Sequence, residues 1–212
     1  MTKPVELKFK SVGQPIRRKE DERLIQGKGR FTDDFTAPGQ VYAAMVRSPH
    51  PHARIVKIDS AAAAAMPGVL SLFTGADAAA ENLGAIPHNP IPKTEYDMKL
   101  TGPGGTPIFI GPHKLLPADK ARHAGEAVAM VVAETIAQAN DAAEALDVEY
   151  EVLPFTLDQL EAIGPADISV WEETADNVLV DTVFGDKEAT DKAFAAAAHV
   201  VEMDLYIPRA TG

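Results

Sequence analysis

Cysteine is absent from this 212-residue chain. That excludes disulfides, thiolate zinc sites, a catalytic thiol and any iron–sulfur cluster held by cysteines of this chain. Positive charge is in deficit: twenty Lys and Arg stand against thirty-one Asp and Glu, for a net charge of −11. No Lys/Arg cluster answers the spacing of a phosphate backbone, so nucleic acid is not an expected partner. No run approaches the roughly 18 consecutive apolar residues of a membrane span. The opening "MTKPVELKFKSVGQP" lacks the continuous apolar core of a signal peptide. The expectation is a soluble, cytoplasmic chain with no membrane partner. Catalytic signatures are missing as well: there is no G-x-S-x-G, no H-E-x-x-H and no nucleophile paired with a base.

What is present is ordinary globular text, with 46% hydrophobic and 24% charged residues. "QVYAAMVR" (40–47) is apolar on both alternating faces, which reads as a central strand buried on both sides. A strand (53–58), a short helix begun by Asp59 or Ser60 and halted by Pro67-Gly68, and a second strand (69–73) follow. Thr74 and Asp77 then open a short helix running to about Asn82. A second strand–helix–strand unit comprises "AVAMVVA" (127–133), a helix opened by Thr135 and Gln138 with Ile136, Ala139, Ala143 and Leu146 at helical spacing, and an alternating strand at Val148, Tyr150 and Val152. The resemblance between 53–73 and 127–153 is too weak to read as a repeat.

Between the units, residues 84–117 are dense in proline and glycine and read as a long surface excursion. Such a loop inside a compact domain implies that it lies against a partner or a site. From Thr156 to Asp176 the composition turns acidic and loop-like. A helix from Asp186 to about Ala198, with Ala193, Phe194 and Ala197 on one face, then leads into a strand at 199–207.

Three stretches could carry chemistry. His50 and His52 share one face if extended, as two metal ligands would, but a third ligand is missing, since His88, His113, His123 and His199 stand alone. "TGPGGTP" (101–107) has the glycines of a phosphate cradle without its Lys-Ser/Thr ending. Asp33-Asp34 offers paired carboxylates, a pattern that also serves turns. The bland reading is favoured at each, so no catalytic, cofactor-binding or metal-binding residue is assigned.

Three long phrases occur in one order. They are "GQPIRRKEDERLIQGKGRFTDDFTAPGQVYAAMVRSPHPHARIVKIDSAAAAAMPGVLSLFTGAD", "LLPADKARHAGEAVAMVVAETIAQANDAAEALDVEYEVLP" and "NVLVDTVFGDKEATDKAFAAAAHVVEMDLYIPRATG". Together they resemble the N-terminal part of the molybdenum-binding large subunit of the xanthine dehydrogenase, aldehyde oxidase and carbon monoxide dehydrogenase family. The resemblance implies an α/β (α+β) hammerhead domain over 1–155, a linker over 156–176, and the first helix and strand of a molybdopterin-binding domain over 177–212. His52 matches a recurrent family histidine that binds no metal, and His50 falls at a variable place. Glu126-Ala127 departs from the Gln-Pro common in relatives.

The resemblance further implies an oxidoreductase that hydroxylates a carbon centre with water-derived oxygen, or oxidises carbon monoxide. Molybdenum is held there by molybdopterin cytosine dinucleotide, and electrons pass to 2Fe-2S and FAD. The missing cysteine-rich segment implies that those two groups sit on separate small and medium subunits. The family's catalytic and pterin-binding residues lie downstream of this text, so the chain is expected to be scaffold. A free-standing binding or assembly module with the same fold is the alternative.

Overall fold

The computed structural model describes residues 13, 15–87, 98–164, 166–174 and 176–205. Among these residues six strands form two three-stranded sheets, every pair antiparallel. The first sheet has β5 (Ala127–Ala133) between β1 (Tyr42–Arg47) and β3 (Val69–Thr74); the second has β2 (Ala53–Asp59) between β4 (Lys120–Ala121) and β6 (Asp147–Val152). The helices are α1 (Asp21–Ile25), α2 (Ala61–Ala64), α3 (Gly75–Ala80), α4 (Ile136–Glu144) and α5 (Lys187–Ala196).

The two strand–helix–strand units form as read, yet each crosses between sheets instead of building a parallel pair. The first, β2–α2–β3, begins in one sheet and ends in the other, and β5–α4–β6 makes the reverse crossing. Consequently β2 pairs with β6 while β3 pairs with β5. Each unit supplies the partners the other needs, a reciprocity hidden in the sequence because the connecting helices differ in length.

β5 is central to its sheet and fully buried on one face, while Met130 and Val132 on the other are only half-buried, so the doubly buried strand of its text is realised in part. Val128, Ala129, Val131 and Ala133 are inaccessible, and burying one valine contributes about 1.5–3 kcal/mol. Ala63, Ala142 and Leu146 close the core over Ala129 and Val131, with Val69, Leu72 and Val148 packed around them. Alanines let α2 and α4 approach the sheet closely. Thr135 caps α4 as anticipated, its Oγ1 accepting the Gln138 N–H at 3.2 Å. Asp77 accepts both the backbone N–H and the hydroxyl of Thr74 at 2.7 Å each. Gly75 starts α3 where a Cβ would stand 2.5 Å from the backbone of Pro117 and Ala118, so only glycine fits.

Two expectations are corrected, and one expected helix forms without a packing partner among the described residues. β1 is an edge strand rather than a central one, pairing only with β5 among the described residues and leaving Met45 44% exposed. Apolar faces alone cannot distinguish an interior strand from an edge whose second neighbour is missing. The strand read at 199–207 is not formed over 199–205, and its last two residues lie outside the described set. Its apolar residues have no ladder to join, and an isolated strand leaves its backbone groups unpaired. α5 forms with Asp186 as cap (Ala189 N–H to Oδ1, 2.9 Å), but its apolar face packs on nothing described and Phe194 remains 61% exposed.

Candidate functional site

The histidines of the opening motif are separated by role. Ser48 Oγ accepts the His50 N–H at 3.1 Å and folds the turn, while the His50 ring meets Tyr150 edge-on with centroids 5.2 Å apart. His52 is buried. Its carbonyl accepts the Leu153 N–H at 3.0 Å, and its Nδ1 donates to Pro154 O at 2.8 Å, bracketing the start of β2 to the end of β6. A carbonyl only accepts, so Nδ1 carries the hydrogen and a neutral ring leaves Nε2 as an acceptor. No group of three or more His, Asp or Glu side chains among the described residues could hold a metal ion.

Asp33 and Asp34 lie in a 3-10 turn, with Asp34 accepting the Phe31 N–H at 2.8 Å. Residues 101–107 close on themselves, since the Gly102 N–H donates to Thr106 O at 2.7 Å and Thr106 Oγ1 to Pro103 O at 2.9 Å. The phosphate-facing donors of a cradle are therefore spent within the turn.

The structure assembles a different cluster, around Trp171. Beyond Val152 the chain runs as a strap across the end of the second sheet. Arg122 stacks its guanidinium 4.1 Å from the Trp171 ring centre, and Phe109 meets the same ring edge-on at 5.7 Å. Gly111 passes so close beneath that a Cβ would stand 2.6 Å from the indole. Asp119 fixes Arg122 through a 3.1 Å bond to Nη2 and takes Lys114 at 3.2 Å. Burial alone would raise the Asp119 carboxyl, but the two cations outweigh it and hold its pKa at about 2.

A second fastening lies further along. Thr182 Oγ1 accepts the Thr101 N–H at 2.6 Å and donates to Thr101 O at 2.9 Å, while the Asp181 N–H reaches Thr101 O at 2.9 Å. Asn177, in the left-handed region at φ 58°, donates to Ala162 O and Ile168 O and accepts from Val170 N–H, shaping the strap from within. The described part of the proline-rich excursion thus lies against the strap. Sequence reasoning anticipated that the loop meets something and missed what. The available signal was the lone tryptophan, set in the acidic stretch.

Between strap and sheet end is a cleft of about 490 Å³, lined by His52, Arg122, Phe155, Ile163, Trp171 and Leu179 among others. Its chemistry suits packing. Arg122 is committed to Asp119 and the indole, and the atoms left without partners, His52 Nε2 and Arg122 Nε, are shielded from solvent. Seven acidic residues and no basic ones occupy 155–185. A pterin dinucleotide carries a pyrophosphate and needs converging donors, which this cleft does not provide. This cleft does not fit that group, and no reaction step is placed here.

Two antiparallel sheets joined by reciprocal crossings, with a strap fastened across the end of the second, define an α/β module. Residues 26–154 match the family described as aldehyde oxidase and xanthine dehydrogenase, a/b hammerhead domain, and the chain belongs to that family. It is 34% identical over 211 residues to the carbon monoxide dehydrogenase large chain of Afipia carboxidovorans, covering 94% of this chain and 24% of that one. It is 36% identical over 199 residues to the nicotine 6-hydroxylase large subunit of Paenarthrobacter nicotinovorans, covering 93% and 22%. Among solved structures, quinoline 2-oxidoreductase from Pseudomonas putida 86 superposes with a TM-score of 0.69 at 35% identity over 92% of this chain and 23% of that one. The chain therefore spans about a quarter of the length of these relatives. No helix of the described residues is long and apolar enough to cross a membrane.

Proposed function

We propose that this chain is the hammerhead-bearing part of the large subunit of a molybdenum hydroxylase, acting in the cytoplasm as scaffold rather than as the reacting centre. Residues 1–155 form the hammerhead domain, 156–176 the linker, and 177–212 the beginning of the molybdopterin-binding domain. The complete subunit oxidises a carbon centre with water-derived oxygen, using molybdenum on molybdopterin cytosine dinucleotide. An iron–sulfur small subunit and an FAD medium subunit carry the electrons away.

One observation carries this reading: identity of 34% runs along 94% of the chain yet accounts for only 24% of the relative. A chain so matched is built like a component. The fastened strap supports the assignment, because it fixes where the chain leaves the hammerhead without supplying any reactive group. The test is to purify the isolated chain and the complete multi-subunit assembly, then measure molybdenum content and dye-linked oxidation of aldehydes, purines, N-heterocycles and carbon monoxide. Metal and turnover are expected in the assembly alone. Stoichiometric molybdenum with turnover in the isolated chain refutes the scaffold role, and an assembly lacking both refutes the enzyme class.

A further inference from the structure

Two buried polar atoms beside the strap are left over from the hydrogen bonds around them, and they are of opposite kind. His52 is 4% exposed and gives its Nδ1–H to Pro154 O, so Nε2 presents a lone pair with no donor to fill it. Arg122 donates through Nη2 to Asp119 and through Nη1 to Lys120 O at 3.1 Å each, which leaves Nε–H as a donor with no acceptor. The ladder brings the two together. β2 and β4 pair Ala53 with Ala121 and Arg54 with Lys120, and one further step in that register sets His52 opposite Arg122. Directly opposed residues of an antiparallel pair hold their Cβ atoms about 4.5–5.5 Å apart, with both side chains on one face. Both side chains line the cleft between strap and sheet end, and the Trp171 indole stacked on the guanidinium covers Arg122 from the strap side.

We propose that one ordered water molecule sits between these atoms, accepting from Arg122 Nε–H and donating to His52 Nε2, and so tying β2 to β4 just past the point where their ladder ends. Charge selects a neutral occupant. The guanidinium is already answered by Asp119, so an anion would meet the imidazole lone pair without gaining a free cation. A metal ion on Nε2 would face the Arg122 cation. Of the neutral groups that both give and take a hydrogen bond, water is the smallest, and two atoms shielded from solvent admit nothing larger. Buried polar groups are met by protein or by ordered water, and here one molecule meets both. The water is therefore held while the strap is closed and released when it opens.

Nitrogen-15 NMR of the 212-residue chain tests this. His52 Nε2 should show the shift of an unprotonated ring nitrogen that accepts a hydrogen bond, and the Arg122 Nε–H should give a cross-peak to a long-lived water. His52→Asn keeps a side-chain N–H for Pro154 O and removes the acceptor. In that variant the cross-peak should vanish and the Arg122 Nε–H should exchange with solvent at least tenfold faster, while the Leu153 amide keeps its protection. A protonated Nε2, or a water cross-peak that persists in His52→Asn, overturns the proposal. Should the variant also release the Leu153 amide, a crystal structure of the parent chain decides. One water within about 3.2 Å of both atoms supports the bridge. A direct contact between Nε and Nε2, or no water there, overturns it.

Discussion

Replacing Trp171 with alanine should release the strap while sparing the hammerhead. The indole is half-buried, so its loss costs about half of the 3–5 kcal/mol of a fully buried tryptophan, or roughly 2 kcal/mol. The stacked Arg122 sits in a partly desolvated site with its side chain 13% exposed, which adds about 1 kcal/mol. The edge contact with Phe109 adds about 0.5 kcal/mol. The Thr101–Thr182 fastening is untouched, so the strap loosens from one end rather than detaching. A sum near 3.5 kcal/mol, at about 1.4 kcal/mol per decade, raises local opening over 166–174 roughly three-hundredfold. Hydrogen exchange by mass spectrometry reads this directly, with peptides from β5 as the internal control. Exchange in the strap changing by less than about threefold would show that Trp171 is not its anchor. Exchange rising equally in β5 would show that strap and hammerhead open as one unit.

Other outcomes follow from the same contacts. Asp119→Asn should abolish part of the acid dependence of stability. The folded pKa of about 2 lies below the ordinary 3.8, so the contribution is full above pH 4–5 and fades as pH falls toward 2. Discounted for the half-exposed carboxylate it is on the order of 1 kcal/mol, and parent and variant should converge in urea titrations near pH 2. Gly75→Ala should destabilise the fold by about 1–3 kcal/mol, since the new methyl meets the backbone at Pro117–Ala118 rather than a movable side chain; chemical denaturation measures it. Asp186→Ala removes the cap of a ten-residue helix that packs on nothing described, at about 1 kcal/mol, so far-ultraviolet circular dichroism should lose most of the α5 signal.

How much of this was readable beforehand depended on whether a feature is local. The caps at Thr74, Thr135 and Asp186 are written within four residues, and each opens the helix expected of it. The central, largely buried character of β5 is likewise intrinsic to "AVAMVVA". β1 shows the limit: Met45 announces burial, but the number of neighbours beside a strand is a property of the assembly. The same limit hid the strap. Gly111 and Trp171 lie sixty residues apart in two loops with no periodicity, and nothing in either loop names the other. The histidine pair was ambiguous for a related reason, because the spacing of two ligands is also that of a turn residue and a strand-end hydrogen bond.

The crossing of the two strand–helix–strand units carries the final consequence. Val131 is inaccessible at the centre of β5, opposite Ala44 of β1 and Leu72 of β3, and it packs in the same cluster as Val148 of β6. Val131→Ala removes two buried methyl groups and leaves a cavity beneath α2 and α4, costing about 2–3 kcal/mol. If each unit folded alone, that loss would appear only in the sheet containing β5. Because β2 depends on β6 and β3 on β5, neither sheet has its partners until both crossings are made. The slowest-exchanging amides of β2 and β6 should therefore accelerate by the same factor as those of β3 and β5, about thirty- to a hundredfold. Acceleration confined to β1, β3 and β5 would mean that the two sheets are separately stable and that the reciprocal pairing is geometric only.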